Sequence, residues 1–155
     1  MIPYADTNLL TRIYLRQKDT EEALALMEQA VSHGVPPLPI TWLHRLELTN
    51  AIQLHVFQGR SPGQLFVSPE QAALARANFD EDLLADNFLR NSLVPVAELE
   101  QQFEELSLRH TARHGFRTYD LLHVASALVL KCDAFWSFDP KASKLAVLEG
   151  LKTRE

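Results

Sequence analysis

The chain has 155 residues, of which 46% are hydrophobic and 23% charged, with only five glycines; this profile excludes a disordered chain and suits one globular core built without disulfides. Its formal charge is −5, from 20 acidic and 15 basic residues, which excludes a broadly basic nucleic-acid coat and makes any nucleic-acid contact local. A single cysteine, Cys132, excludes an internal disulfide framework, and its expected role is core packing. No run approaches the roughly eighteen apolar residues of a membrane span, and the N-terminus lacks the basic flank and cleavage site of a signal peptide. The expectation is therefore a single domain over residues 1–155, cytoplasmic, with no membrane partner.

In chain order, Ile2-Pro3-Tyr4-Ala5 reads as a short buried strand that Asp6-Thr7-Asn8 interrupts before a helical pattern begins. Apolar residues recur at helical spacing from Leu9 to Leu15 and from Thr20 to Val31, with Leu24, Met27 and Val31 on one stripe. Glu21 and Glu22 supply acids to the first turn of the second helix. Pro36 to Ile40 is extended, and its three prolines suit an edge strand. Thr41 can cap a helix that runs to about Gly59, with Leu43, Leu46, Leu48, Ile52 and Phe57 mostly facing the core and Glu47 in their midst. After the connection Gly59 to Pro69, Ser68-Pro69-Glu70 opens a helix that extends toward Leu89, with an expected break around Asn78 to Glu81.

Leu93-Val94-Pro95-Val96 resembles a strand, and a helix follows from Glu98 to about His114, stopped at Gly115. Thr118 is expected to cap a helix from Tyr119 to Lys131, whose Leu121, Leu122, Ala125, Leu128 and Val129 form a face wide enough to cover a sheet. Ala134 to Phe138 is a second apolar strand, closed by Asp139 before Pro140. The alternation of strands and helices favours a parallel α/β sandwich with right-handed crossovers.

Four carboxylates carry the chemistry. An open parallel sheet gathers its ligands at the carboxyl ends of its strands, so Asp6 and Asp139, each following a strand, suggest a shared metal site. Asp120 starts a helix and Glu47 sits on an apolar helix face; both can converge on the same edge. Each acid also has a plainer reading. Asp6 and Asp139 can bond backbone amides in a turn, Asp120 can complement the helix dipole, and Glu47 can pair with Arg45 or His44. Converging together, the four would repel one another without a counter-cation. An oxygen-only set with no cysteine or histidine array favours Mg²⁺ or Mn²⁺ over zinc. His110 and His114 have the spacing of a helical metal pair but no glutamate between them, so they read as surface or RNA-facing residues.

Asp6-Thr7-Asn8 after the first strand, Glu47 on the third helix, Asp120-Leu121-Leu122-His123-Val124-Ala125 and Ser137-Phe138-Asp139 together resemble the PIN-domain ribonucleases, especially the toxin half of VapBC-type toxin–antitoxin pairs. The resemblance spans nearly the whole chain and is least diagnostic from Gly59 to Val96, a stretch longer and more proline-interrupted than in compact relatives. It implies a PIN-like α/β/α sandwich with a mainly parallel central sheet, and Asp6, Glu47, Asp120 and Asp139 as the acids holding Mg²⁺ or Mn²⁺. It also implies endoribonuclease activity on an RNA substrate, a cognate antitoxin protein as partner, and a homodimer. For the dimer contact, the Leu24 to Val31 and Leu83 to Leu89 helices offer apolar positions.

Around these acids, Thr7, Asn8 and Ser137 could orient water or a carboxylate. Arg12, Arg16, Arg113, Arg117, Lys141 and Lys144 are candidates to face phosphate. His123 reads as a packed or hydrogen-bonded helix residue, and Trp42 and Trp136 as core. Two other readings compete with a nuclease: a module that binds RNA or protein without cutting, and a phosphatase of the haloacid-dehalogenase type. The phosphatase needs a second acid two residues after the first, where this chain has Asn8.

Overall fold

In the computed structural model, which describes residues 1–154, the elements run β1 (Pro3–Ala5), α1 (Thr7–Tyr14), α2 (Thr20–Ser32), β2 (Leu38–Ile40), α3 (Trp42–Gln58), α4 (Pro69–Ala85), β3 (Leu89–Asn91), α5 (Val96–Leu106), α6 (Ala112–His114), α7 (Thr118–Val129), β4 (Ala134–Trp136), α8 (Pro140–Leu148) and β5 (Lys152–Thr153). A single π-turn, Ser107–Thr111, joins α5 to α6. By its contacts the described chain divides into two compact units: residues 1–6 with 92–154, and residues 7–91.

The first unit holds a three-stranded parallel sheet in the order β1-β4-β5. The pairing Pro3↔Ala134, Tyr4↔Phe135 and Ala5↔Trp136 brings the carboxyl ends of β1 and β4 side by side. All three residues of β1 and of β4 are buried, as expected of strands covered on both faces. Tyr4 and Phe135 stack with centroids 5.8 Å apart. They belong to one apolar cluster with Leu106, Leu121, Val124 and Leu145, drawn from α5, α7 and α8. Cys132 joins this cluster, and burial pushes its thiol up to about 11, so it packs as a small hydrophobe. Strand β5 has no counterpart in the sequence reading, because two residues carry no periodicity.

The second unit pairs β2 with β3, parallel, in register Leu38↔Leu89 to Ile40↔Asn91. Each strand of a two-stranded sheet is an edge, which accommodates Pro39. Helix α4 begins as the sequence suggests: Ser68 Oγ accepts from the Gln71 amide at 3.0 Å, Gln71 Oε1 accepts from the Ser68 amide at 2.9 Å, and Pro69 follows at the first helical position. Gly59, which ends α3, is confined by its neighbours, since a Cβ there would lie 2.7 Å from the Leu65 carbonyl oxygen.

Several expectations are corrected. The strand placed at 93–96 lies instead at Leu89–Asn91, where β2 supplies partners; Leu93 is 92% exposed, and Pro95, with no amide hydrogen, caps α5. Helix α4 runs unbroken through Asn78 to Glu81, because Phe79 is fully buried and stacks edge-to-face on Tyr14. The helix cap before Asp120 is Arg117, one residue earlier than Thr118. Leu46, Phe57 and Trp42 are exposed and do not pack in the core, whereas Leu24 and Val31 are exposed beside the buried Met27, in the helix expected to offer exposed apolar positions. Apolar spacing marks a face, but it cannot say what covers that face.

Candidate metal centre

Parallel pairing of β1 with β4 decides where the first acids stand. The chain leaves β1 at Asp6, whose amide donates to the Trp136 carbonyl at 3.1 Å, and leaves β4 at Ser137. There the Ser137 hydroxyl donates to Asp6 Oδ2 at 2.5 Å and its oxygen accepts from the Asp139 amide at 2.8 Å. One serine thus ties together the two acids that follow the two strands. Asp139 also caps α8, its Oδ1 accepting from the Lys141 amide at 2.8 Å, so the turn reading and the site reading describe the same residue.

Asp120 reaches this edge from the first turn of α7. Its Oδ2 accepts from the Arg117 amide at 3.1 Å and from Arg117 Nε at 3.2 Å, while Arg117 NH2 donates to Asp120 Oδ1 at 3.3 Å and to Asp139 Oδ2 at 2.5 Å. The guanidinium therefore spans both carboxylates, and these bonds, Asp120 first, raise its pKa further. Asp6 and Asp120 are only 5% and 4% exposed. Buried carboxylates are costly unless paired or hydrogen-bonded. The string holds three carboxylates and one guanidinium, the latter bonded to Asp120 and Asp139, and so keeps an excess of negative charge suited to a further cation.

The donors fit a hard divalent ion in kind: carboxylate and hydroxyl oxygens, with a guanidinium already standing as the positive charge between Asp120 and Asp139. Among the described residues, however, no three histidine, cysteine or acidic side chains are grouped closely enough to ligate one ion as they stand. Oxygens of Asp6, Asp120 and Asp139 are turned to Ser137 and Arg117 instead.

Glu47 belongs to the second unit. It is half-buried on α3 and accepts from Thr7 Oγ1 at 3.0 Å, Thr7 being the residue after Asp6 in the chain. Of the two neighbours named for it from the sequence, His44 accepts the Thr41 amide at Nδ1 at 3.0 Å, and Arg45 donates to Asn91 at 2.6 Å.

Other residues sort by position. His123 is buried and hydrogen-bonded to the Tyr4 hydroxyl at 2.9 Å, as a packed helix residue should be. His110 is half-buried: it pairs with Glu149 Oε1 at 2.5 Å, and Arg109 holds the same carboxylate at 2.9 Å. Arg12 donates to the Asn8 carbonyl at 2.8 Å, Arg16 pairs with Glu21 at 3.2 Å, and Lys141 and Lys144 are exposed on α8. Arg154 escaped the sequence reading. Its Nε donates to the Ser137 carbonyl at 2.8 Å and its guanidinium lies 3.7 Å from the Phe138 ring centroid, a placement without a motif because the residue follows a two-residue strand.

The PIN domain family model matches residues 4–148. The chain is similar in fold to a chain of a solved structure described as the crystal structure of VapBC2 from Rickettsia felis bound to a DNA fragment from their promoter, with a TM-score of 0.67, 15% sequence identity, and coverage of 99% of this chain and 98% of that one. No curated protein sequence matches. No helix among the described residues is long and apolar enough to cross a membrane. With one family model running from β1 to the end of α8, the chain belongs to the PIN domain family.

Proposed function

We propose that this protein, a member of a family of nucleases, is a Mg²⁺- or Mn²⁺-dependent endoribonuclease working as one PIN-like domain, and that it is the toxin of a VapBC-type pair. The observation that carries the nuclease reading is the string Asp6–Ser137–Asp139–Arg117–Asp120, which gathers three of the four acids at the carboxyl ends of two parallel strands. Asp6, Asp120 and Asp139, with Glu47 as the fourth acid, would hold the ion. A divalent ion held there would supply the positive charge that activates water and offsets the negative charge of the phosphate.

The chain's own residues have three tasks. Ser137 fixes the Asp6 carboxylate by a charge-assisted bond and so limits its rotation. Thr7 does the same for Glu47. Lys141, Lys144 and Arg154 supply positive charge on the elements that follow β4, where an RNA phosphate can be held without a broadly basic surface. The toxin role rests on the fold shared with a VapBC chain, and it carries a cognate antitoxin and a homodimer as expected partners.

Purified protein should cleave single-stranded RNA with Mg²⁺ or Mn²⁺ and stop with EDTA. Asp6→Asn, folded by circular dichroism, should lose about a hundredfold or more of the activity. Equal cutting by wild type and Asp6→Asn would assign the cleavage to a contaminant. RNA retained without products would favour a binding module, with affinity falling as salt rises. Expression of the wild type, but not of Asp6→Asn, should slow growth.

A further inference from the structure

Arg117 stands in an unusual position for a phosphate-binding residue. Its side chain is 62% exposed, yet its fork is committed to carboxylates: Nε and NH2 on Asp120, and NH2 also on Asp139 at 2.5 Å. The two acids come from different elements, one from the first turn of α7 and one from the cap of α8. A guanidinium that bridges two such carboxylates offsets one of their two negative charges and holds them with geometric specificity, a task a metal ion would otherwise perform.

We propose, resting on the metal-dependent reading above, that Arg117 is the chain's own counter-cation for the Asp120–Asp139 pair and is displaced when a divalent ion enters. Two observations carry it. Both carboxylates use oxygens on Arg117 that a metal would need. The Arg117 side chain is largely exposed, so it can leave the carboxylates without opening the core. Ser137, buried and bonded to Asp6 and Asp139, stays where it is. The bridge then has two consequences. It keeps the acids together when no metal is bound, and it sets a competitor that the metal must overcome, so the ion binds more weakly than the acids alone would allow.

The test reads metal binding and Arg117 itself, not cleavage. Mn²⁺ binding followed by electron paramagnetic resonance should tighten about tenfold in Arg117→Gln, the effect of one charge-assisted hydrogen bond discounted for exposure. Arg117→Lys, which keeps the charge without the fork, should fall between. In ¹⁵N-labelled wild type, the Arg117 Nε–Hε signal, assigned by its loss in Arg117→Lys, should move toward the position of a solvated arginine as Mg²⁺ is added. An Arg117 signal unmoved at saturating Mg²⁺ overturns the proposal, and so does Arg117→Gln binding Mn²⁺ no more tightly than wild type. If wild type takes up Mn²⁺ in either case, the metal-dependent reading stands without the displacement. Uptake by neither protein overturns both.

Discussion

The two units use the same apolar vocabulary to different ends. In the first, Phe135 is fully buried on Tyr4, and α7 buries most of its length against the cluster that includes them. In the second, α3 buries Leu43, Leu48 and Ile52 but leaves Leu46 and Phe57 exposed, the latter at 69%. The chemistry follows the same division. The first unit knits three acids, a serine and an arginine into one bonded string, whereas the second holds Glu47 by a threonine hydroxyl among its contacts. Burial on both faces fixes β1 and β4 and so the points from which Asp6 and Asp139 follow, while each unit also leaves large apolar side chains exposed, Leu93 and Leu108 in the first and Leu46 and Phe57 in the second.

One substitution made in both units breaks or sharpens this contrast most strongly. Phe135→Ala should cost about 3–5 kcal/mol in urea denaturation, because a full ring leaves a closed core, whereas Phe57→Ala should change stability by less than about 0.5 kcal/mol. Similar losses for both would mean that Phe57 is covered in solution by something beyond its own unit. A smaller effect is expected at Ser137. Ser137→Ala removes a donor to Asp6 and an acceptor for the Asp139 amide, and should destabilise the protein by about 1–3 kcal/mol; an unchanged denaturation midpoint would show that the string is not holding the strand ends together.

The smallest effect concerns pH. Burial, and then the charges of Lys144, Arg113 and His110, lower the pKa of His114. The folded state therefore binds this proton less readily than the unfolded chain, so stability holds above the ordinary histidine value and is lost as pH falls through the lowered one. His114→Gln should lessen the fall in melting temperature between about pH 7.5 and about pH 5; an identical fall in both proteins would remove His114 from the pH response.

What the sequence made legible follows from where information is local. Strands β1 and β4, the cap at Ser68, the stop at Gly115 and the acids after each strand each leave a mark in a few consecutive residues. Asp6, Asp120 and Asp139 could be named because strand ends and helix starts are themselves local features. Ser137 and Thr7 read from the sequence as residues able to orient a carboxylate, but which distant acid each one holds was not legible. Ser137 is 131 residues from Asp6 and Arg117 is 22 from Asp139, and no spacing rule joins them. Exposure was illegible for the same reason, since Phe57 and Ile52 differ only in what lies opposite. Strand β3 was misplaced because Leu93-Val94-Pro95-Val96 is the more apolar run, while pairing with β2 chose Leu89–Asn91.

The central claim is that Asp6, Asp120 and Asp139 hold a divalent ion at the ends of β1 and β4. A crystal soaked in manganese and measured for anomalous scattering tests it most directly. The account predicts a peak about 2.1 Å from carboxylate oxygens of these residues, with Arg117 moved off Asp120 and Asp139. A map with no peak there at saturating manganese, and Arg117 still bridging the two acids, would contradict it.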